Sequence, residues 1–259
     1  MKKNIKILIM GLPGSGKSYL SERLSKFINA VWLNADQVRK EANDWDFSTE
    51  GRIRQANRMK NLSEKHLKDG KNIIADFVCP TKKTRLDFNP DFVVWMDTIK
   101  KSRYEDTNKI FEKPDKVDLI IKEKNADLMK FIVADKIFPY QWDNKKPTAQ
   151  MLGRWQPWHQ GHQKLFEEII KKTGQVNIMV RDVKGVGDNP FDFETVKKNI
   201  ILALHQFKDR IKISLVPNLT NICYGRGVGY TIEEIVLDKE TQSISATKIR
   251  AELRKQGKL

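Results

Sequence analysis

The chain is 259 residues long, which is enough for one large α/β domain or two of ordinary size, and an apolar content of 39% excludes a disordered protein. A formal charge of +15 points to anionic partners, part of it being an ordinary Lys-rich surface: phosphorylated small molecules and nucleotides first, nucleic acid only as a minor partner, since no dense basic tract is interleaved with aromatics. Two cysteines, Cys79 and Cys223, without metal-ligand spacing exclude a disulfide framework, and no stretch has the length and apolarity of a membrane span, so a cytoplasmic enzyme is the expectation.

The first apolar run, Ile5 to Met10, is too short for a signal peptide core and reads as a buried parallel strand. It runs into "GLPGSGKS", Gly11 to Ser18, the full G-x-x-x-x-G-K-S pattern. In that pattern Gly11, Gly14, Ser15 and Gly16 wrap backbone N–H groups around the phosphates of ATP. Lys17 neutralises the β and γ oxygens, and the Ser18 hydroxyl is the expected ligand for Mg²⁺. Leu20, Leu24, Phe27 and Ile28 give the next segment helical spacing, with its N-terminus toward the phosphates.

A short strand, "VWLNADQVR", is expected to end near Asp36. A helix follows over "TEGRIRQANRMKNLSEKHLKDG", then strands at Ile73–Val78 and Phe92–Met96. Alternating strands and helices predict a parallel sheet with helices on its faces, and Asp36 and Asp76 fall at expected strand ends, where such sheets bind ligands. Each carboxylate either orients a substrate hydroxyl or a Mg²⁺ water, or caps a helix. "GLPGSGKS", "LNADQVR", "FSTEGRIRQANR", "DFVCP" and "FEKP" together resemble adenylylsulfate kinase, a P-loop small-molecule kinase, over most of residues 5–115. The resemblance implies that Asp36 and Arg39 lie near the acceptor and that Arg52 helps bind it. The chain departs from that family at Gln55 (usually Asn), at Thr81 and Lys82 (usually Phe and Arg), and in "TIKKSRYEDTNKI", which replaces a long basic lid. The donor machinery is intact while the acceptor surface is altered, so the acceptor need not be adenylylsulfate.

Leu128, Met129, Ile132, Val133 and Ile137 mark a helix broken by Pro139, and the polar stretch over residues 139–147 reads as a linker. The expected organisation is therefore α/β in two domains, a P-loop kinase-type domain over residues 1–138 and a Rossmann-like domain over residues 148–259, compatible with a homo-oligomer.

The second half opens with a strand in "TAQMLGRW" and a helix in "HQKLFEEIIKK", with "GRWQPWHQGH" between them. This segment holds the topological place of the phosphate loop but offers imidazoles, His159 and His162, in place of Lys-Ser. Imidazole donates to phosphate oxygens, more strongly when protonated; with no third ligand nearby, zinc is the lesser reading. Gly153, Arg154, Gln156, Pro157, His159, Gly161 and His162 resemble the H-x-G-H signature of the nucleotidyltransferase superfamily in the form found in nicotinamide-mononucleotide adenylyltransferases. "SISATKIR" resembles the superfamily's second signature at Ile244, Ser245, Thr247 and Arg250. The resemblance implies that His159, His162, Lys164, Ser245, Thr247 and Arg250 handle the phosphates of an NTP, ATP or CTP, and that Gly153, Arg154 and Gly161 lie against the nucleotide. Ser245 also has the makings of an N-cap.

Arg181, after the strand "QVNIMV", and Arg226, in "CYGRGVGY", are the acceptor-side candidates of this half, with a plain turn as the other reading of the latter stretch. Asp192 is expected to cap a helix over "NPFDFETVKKNIILALHQF", and "RIKISLVP" is the next strand. Three accounts of the whole chain compete with a kinase joined to a nucleotidyltransferase. One is sulfate activation, disfavoured because ATP sulfurylases carry an Arg-Asn-Pro form of the His motif. The others are nucleic-acid end processing and a regulatory module with degraded catalysis.

Overall fold

The computed structural model describes residues 4–223, 225–227 and 229–259. The described chain divides between Pro139 and Tyr140 into two compact units.

The first unit is built on a parallel sheet of β1 (Lys6–Met10), β2 (Val31–Asn34), β3 (Ile73–Asp76), β4 (Phe92–Met96) and β5 (Leu119–Ile121), in the order β2-β3-β1-β4-β5. Burial of all five residues of β1 explains its unbroken apolar run, since a central parallel strand is covered on both faces. The two-residue period of the strands sorts their side chains. Ile7, Ile9, Ile74 and Val94 pack with Leu20 and Leu24 of α1 (Lys17–Ile28) and Val133 of α6 (Ala126–Ile137). On the opposite face Leu8, Met10, Ile73 and Ala75 pack with Val38 of α2 (Ala35–Glu41), Met59 of α3 (Thr49–Lys68) and Phe88 of α4 (Lys82–Phe88). A further short helix, α5 (Glu105–Ile110), precedes β5.

Two strand ends differ from expectation. β2 stops at Asn34, whose side-chain oxygen accepts from Gln37 N and caps α2. Asp36 therefore stands in the first turn of a helix. β3 stops at Asp76, the last residue in register with Ile9 and Asn34, and not at Val78.

The second unit has a three-stranded parallel sheet in sequence order, β6 (Ala149–Gly153), β7 (Val176–Arg181) and β8 (Ile211–Val216). Between them run α7 (Gln160–Thr173) and α8 (Phe193–Ala203), the latter extended by a 3-10 turn over His205–Arg210. The short α9 (Lys239–Gln242) and α10 (Ala246–Lys255) close the unit. Val176, Ile178 and Val180 are buried while the alternating Asn177, Met179 and Arg181 are half-buried. Phe166, Ile169 and Ile170 of α7 and Val196 and Ile200 of α8 supply further core residues. Asp192 caps α8 by accepting from Thr195 N.

The stretch expected as a linker is part of this unit. Tyr140 Oη donates to Gln175 Oε1 at 2.8 Å, Gln175 Nε2 donates to Asp143 O at 2.8 Å, and Arg210 lies 3.8 Å from the centre of the Tyr140 ring. The buried Gln175 amide organises the segment, and a polar composition concealed that role.

Candidate functional site

In the first unit β1 turns into α1 through the glycine-rich loop. Gly11 has φ 145°, and a Cβ built on it would lie 2.7 Å from Met96 O, so this turn accepts no side chain. Gly16 is the N-cap of α1, and Gly14 and Gly16 line a cavity of about 1090 Å³ at the carboxyl ends of the strands. Ser15 is buried, with its backbone carbonyl accepting from Thr98 Oγ1 at 2.7 Å. The Lys17 ammonium donates to Leu12 O at 3.0 Å. Burial pushes it down to about 8, against the opposing pull of Asp76 and Asp36.

Asn34 joins the loop to the next strands. Its amide donates to Ser18 Oγ at 3.1 Å and to Asp76 Oδ1 at 2.9 Å, while Trp32 Nε1 donates to Asp76 Oδ2 at 3.0 Å. Asp76 is almost wholly buried, and burial raises its pKa in spite of the Trp32 hydrogen bond. Lys17, Ser18, Asp36, Arg39, Arg52 and Asp76 thus line one cavity. The Ser18 hydroxyl and the Asp36 and Asp76 carboxylates are hard oxygen donors, a set that suits Mg²⁺ shared with phosphate oxygens.

The two arginines expected on the acceptor side are more occupied than the sequence implied. Arg39 is buried, donates at 2.9 Å to Asp44 O and to Asp46 O, and lies 4.6 Å from the centre of the Phe47 ring. Arg52 donates to Phe47 O at 2.8 Å and pairs with Asp106. Neither engagement was visible in sequence, because Asp44, Asp46 and Asp106 lie outside every motif.

In the second unit His159 is the N-cap of α7 and its Nδ1 accepts from Gly161 N at 3.1 Å. The His159 and His162 rings are stacked with centroids 3.6 Å apart and an interplanar angle of 23°. Trp155 packs edge-on to His162 at 4.8 Å and Trp158 lies at 5.5 Å from it. Burial, then the neighbouring His159, pushes His162 down to about 3; burial also lowers His159. His162 Nδ1 and Trp158 Nε1 are buried without a hydrogen-bond partner. A buried polar pair in that condition is an incomplete arrangement, of the kind a ligand completes.

Gly153 serves the fold in a way not expected. A Cβ there would lie 2.6 Å from the Trp155 indole, so the missing side chain makes room for tryptophan. Trp155 is itself buried and donates to Met179 O at 3.1 Å, which makes it a core residue.

The two signatures, 94 residues apart between Gln156 and Arg250, meet in space. The buried Arg250 donates to Gln156 O, to Asp188 Oδ2 at 2.7 Å and to Thr247 Oγ1 at 3.1 Å, and Arg254 also pairs with Asp188. Asp188 carries no sequence signal for this role. Ser245 is the N-cap of α10, but its hydroxyl makes no capping hydrogen bond, contrary to the sequence reading. Lys164 and Arg154 are exposed. Arg181 ends β7 and donates to Asn218 Oδ1 at 2.5 Å, and Arg226 is exposed in an irregular segment. No hydrogen bond or ion pair among the described residues joins either to His159 or His162.

A family model described as an AAA domain matches residues 7–89, the region of the glycine-rich loop, β2, α3 and β3; residues 140–259 lie outside that match. An adenylate kinase isoenzyme 6 homolog from Drosophila melanogaster is 49% identical over 37 residues, 14% of this chain and 21% of that protein, so the match spans about a fifth of the relative. Among solved structures, the chain is similar to the APS kinase CysC of Mycobacterium tuberculosis in complex with AMPPNP and APS, at 20% identity, 52% of this chain, 98% of that chain and TM-score 0.43. It is also similar to a shikimate kinase from Aquifex aeolicus, at 21% identity, 51% and 94% coverage and TM-score 0.39. The N-terminal unit is a P-loop domain: the loop, the parallel sheet and the family match agree. No helix among the described residues is long and apolar enough to cross a membrane.

Proposed function

We propose that the chain is a two-activity phosphorus-group transferase. Its N-terminal unit moves the γ-phosphoryl of ATP to the hydroxyl of a small molecule, and its C-terminal unit moves a nucleoside monophosphate from an NTP to a phosphorylated acceptor. The observation that carries the first activity is the convergence of Lys17, Ser18, Asp36 and Asp76 on one cavity. The acceptor oxygen attacks the γ-phosphorus, the bond to the β–γ bridging oxygen breaks with its electron pair to ADP, and Asp36 takes the hydroxyl proton. Lys17 and the loop N–H groups hold the phosphate oxygens as charge redistributes. Ser18 and Asp76 would hold Mg²⁺, which supplies charge neutralisation at the β and γ oxygens.

For the second activity, the supporting observation is that His159, His162 and the Arg250–Gln156 link gather both signatures around one incomplete polar cluster. The acceptor phosphate oxygen bonds to the α-phosphorus, and the α–β bridge breaks with its pair to pyrophosphate. The imidazoles donate to oxygens that gain charge in passing. The test incubates the full chain with each NTP and paired phosphorylated and unphosphorylated acceptors, and reads product masses. Lys17→Met is expected to abolish only the ADP-forming reaction and His162→Ala only pyrophosphate release. Loss of both reactions in both variants would refute the division of labour.

A further inference from the structure

The acceptor side of the N-terminal cavity is distinctive in its charge. Arg39 of α2 and Arg52 of α3 line it, Arg54 and Arg58 of α3 belong to the same Asp44 and Asp46 network, and each is already answered. Arg39 is held by the Asp44 and Asp46 carbonyls, Arg54 by both carboxylates of those residues, Arg58 by Asp44, and Arg52 by Phe47 O and Asp106. The Asp44 carboxyl is held below the usual range by Arg54 and Arg58, so it remains an anion in this network. Of the other cations in the lining, Lys17 serves the donor phosphates, while Arg103, stacked over Tyr104 at 4.9 Å, and Lys101 are exposed to solvent, which screens their charge. An anionic acceptor would have to displace Asp106 from Arg52 and then remain beside it.

The same wall carries aromatic surface. Trp45, Phe47 and Tyr104 line the cavity and are 51%, 52% and 44% exposed. Arg39 covers a face of Phe47 and Arg103 a face of Tyr104, which leaves oriented rings in a cavity wall. Exposed rings of this kind favour a planar partner over a flexible polyol.

We propose that the acceptor is an uncharged alcohol bearing a planar or near-planar ring. The proposal rests on the phosphoryl-transfer reading above and narrows it: one hydroxyl proton is released for each P–O bond formed, and ADP is the other product. Transfer from labelled ATP is measured with the full chain on the neutral ring alcohols adenosine, uridine and pyridoxine, and on the anionic ring alcohols adenylylsulfate and shikimate. The best neutral acceptor is expected to exceed both anions in kcat/KM by at least about tenfold. Asp106→Asn, an exposed and nearly isosteric change whose folding a thermal melt checks, is expected to shift the anion-to-neutral ratio toward the anions by about five-fold. An anion as the best acceptor, no turnover of any neutral one, or an unmoved ratio in the variant would overturn the proposal. Failure of the underlying reading looks different: the wild type would then show no Lys17-dependent release of the γ-phosphoryl, to water or to any acceptor.

Discussion

Replacing His162 by asparagine removes a titratable ring from a place that resists its charge. Burial and the stacked His159 push the imidazole from 6.5 down to about 3. The unfolded chain therefore takes up this proton near its ordinary value, while the folded chain does not until far lower pH. Between those two values the unfolded state binds more protons, so the His162 contribution makes stability fall as pH falls, and the loss stops growing below the folded value. At about pH 5 the cost is the distance from 6.5, roughly 1.5 pH units, or on the order of 2 kcal/mol. Urea unfolding of wild type and His162→Asn near pH 7 and near pH 5 checks this. The wild type should lose about 2 kcal/mol more than the variant over that interval. The imidazole signal of His162 in the folded protein should stay that of a neutral ring across it. A His162 signal that titrates near the ordinary histidine value, or equal losses in both proteins, would refute the reasoning. Binding of a triphosphate should reverse the effect, because phosphate oxygens favour the protonated ring.

Lys17 supports a related expectation: at a pH just above its value of about 8, ATP binding should draw in a proton, seen as a dependence of binding heat on buffer ionisation enthalpy that Lys17→Met abolishes. Gly153→Ala should destabilise the C-terminal unit by about 1–3 kcal/mol, because the new Cβ collides with the buried Trp155 indole; chemical unfolding followed by tryptophan fluorescence reads it. Asp188→Asn should raise KM for the NTP more than it lowers kcat, since it loosens Arg250 without removing it, and Asp188→Glu should restore part of the loss.

The phosphate loop was legible in sequence because a strand, a glycine-rich turn and a helix follow one another locally, and each carries its own signal. The same holds for His159 and His162, which are close in sequence. What escaped is held by long-range contacts between residues of common type. Asp106 meets Arg52 from another helix, Asp188 meets Arg250 from a glycine-rich loop, and Gln175 gathers residues 140–148. A carboxylate or amide in a loop announces no partner, so such links are absent from any pattern of spacing. The strand ends were misread for a related reason. Asn34 is both the last strand residue and a helix cap, and apolar content alone does not mark where pairing stops at Asp76.

The two candidate sites share one physical device in different chemistry. Each keeps a basic nitrogen buried, Lys17 beside a carbonyl and His162 against two indole rings, and burial lowers the proton affinity of both. Charging a group in that state costs desolvation, and an entering phosphate offsets that cost by stabilising the charged form. The lysine needs little help near neutral pH, since its value of about 8 leaves it largely charged there. His162, at about 3, is neutral in the free protein. The proposed loop site is thus charged in advance, whereas the proposed histidine site acquires charge only as phosphate and proton enter together. Arg250 fits that difference: its guanidinium is already shared among Asp188, Gln156 and Thr247, so His162 Nδ1 and Trp158 Nε1 are the cluster's buried nitrogens without a partner among the described residues.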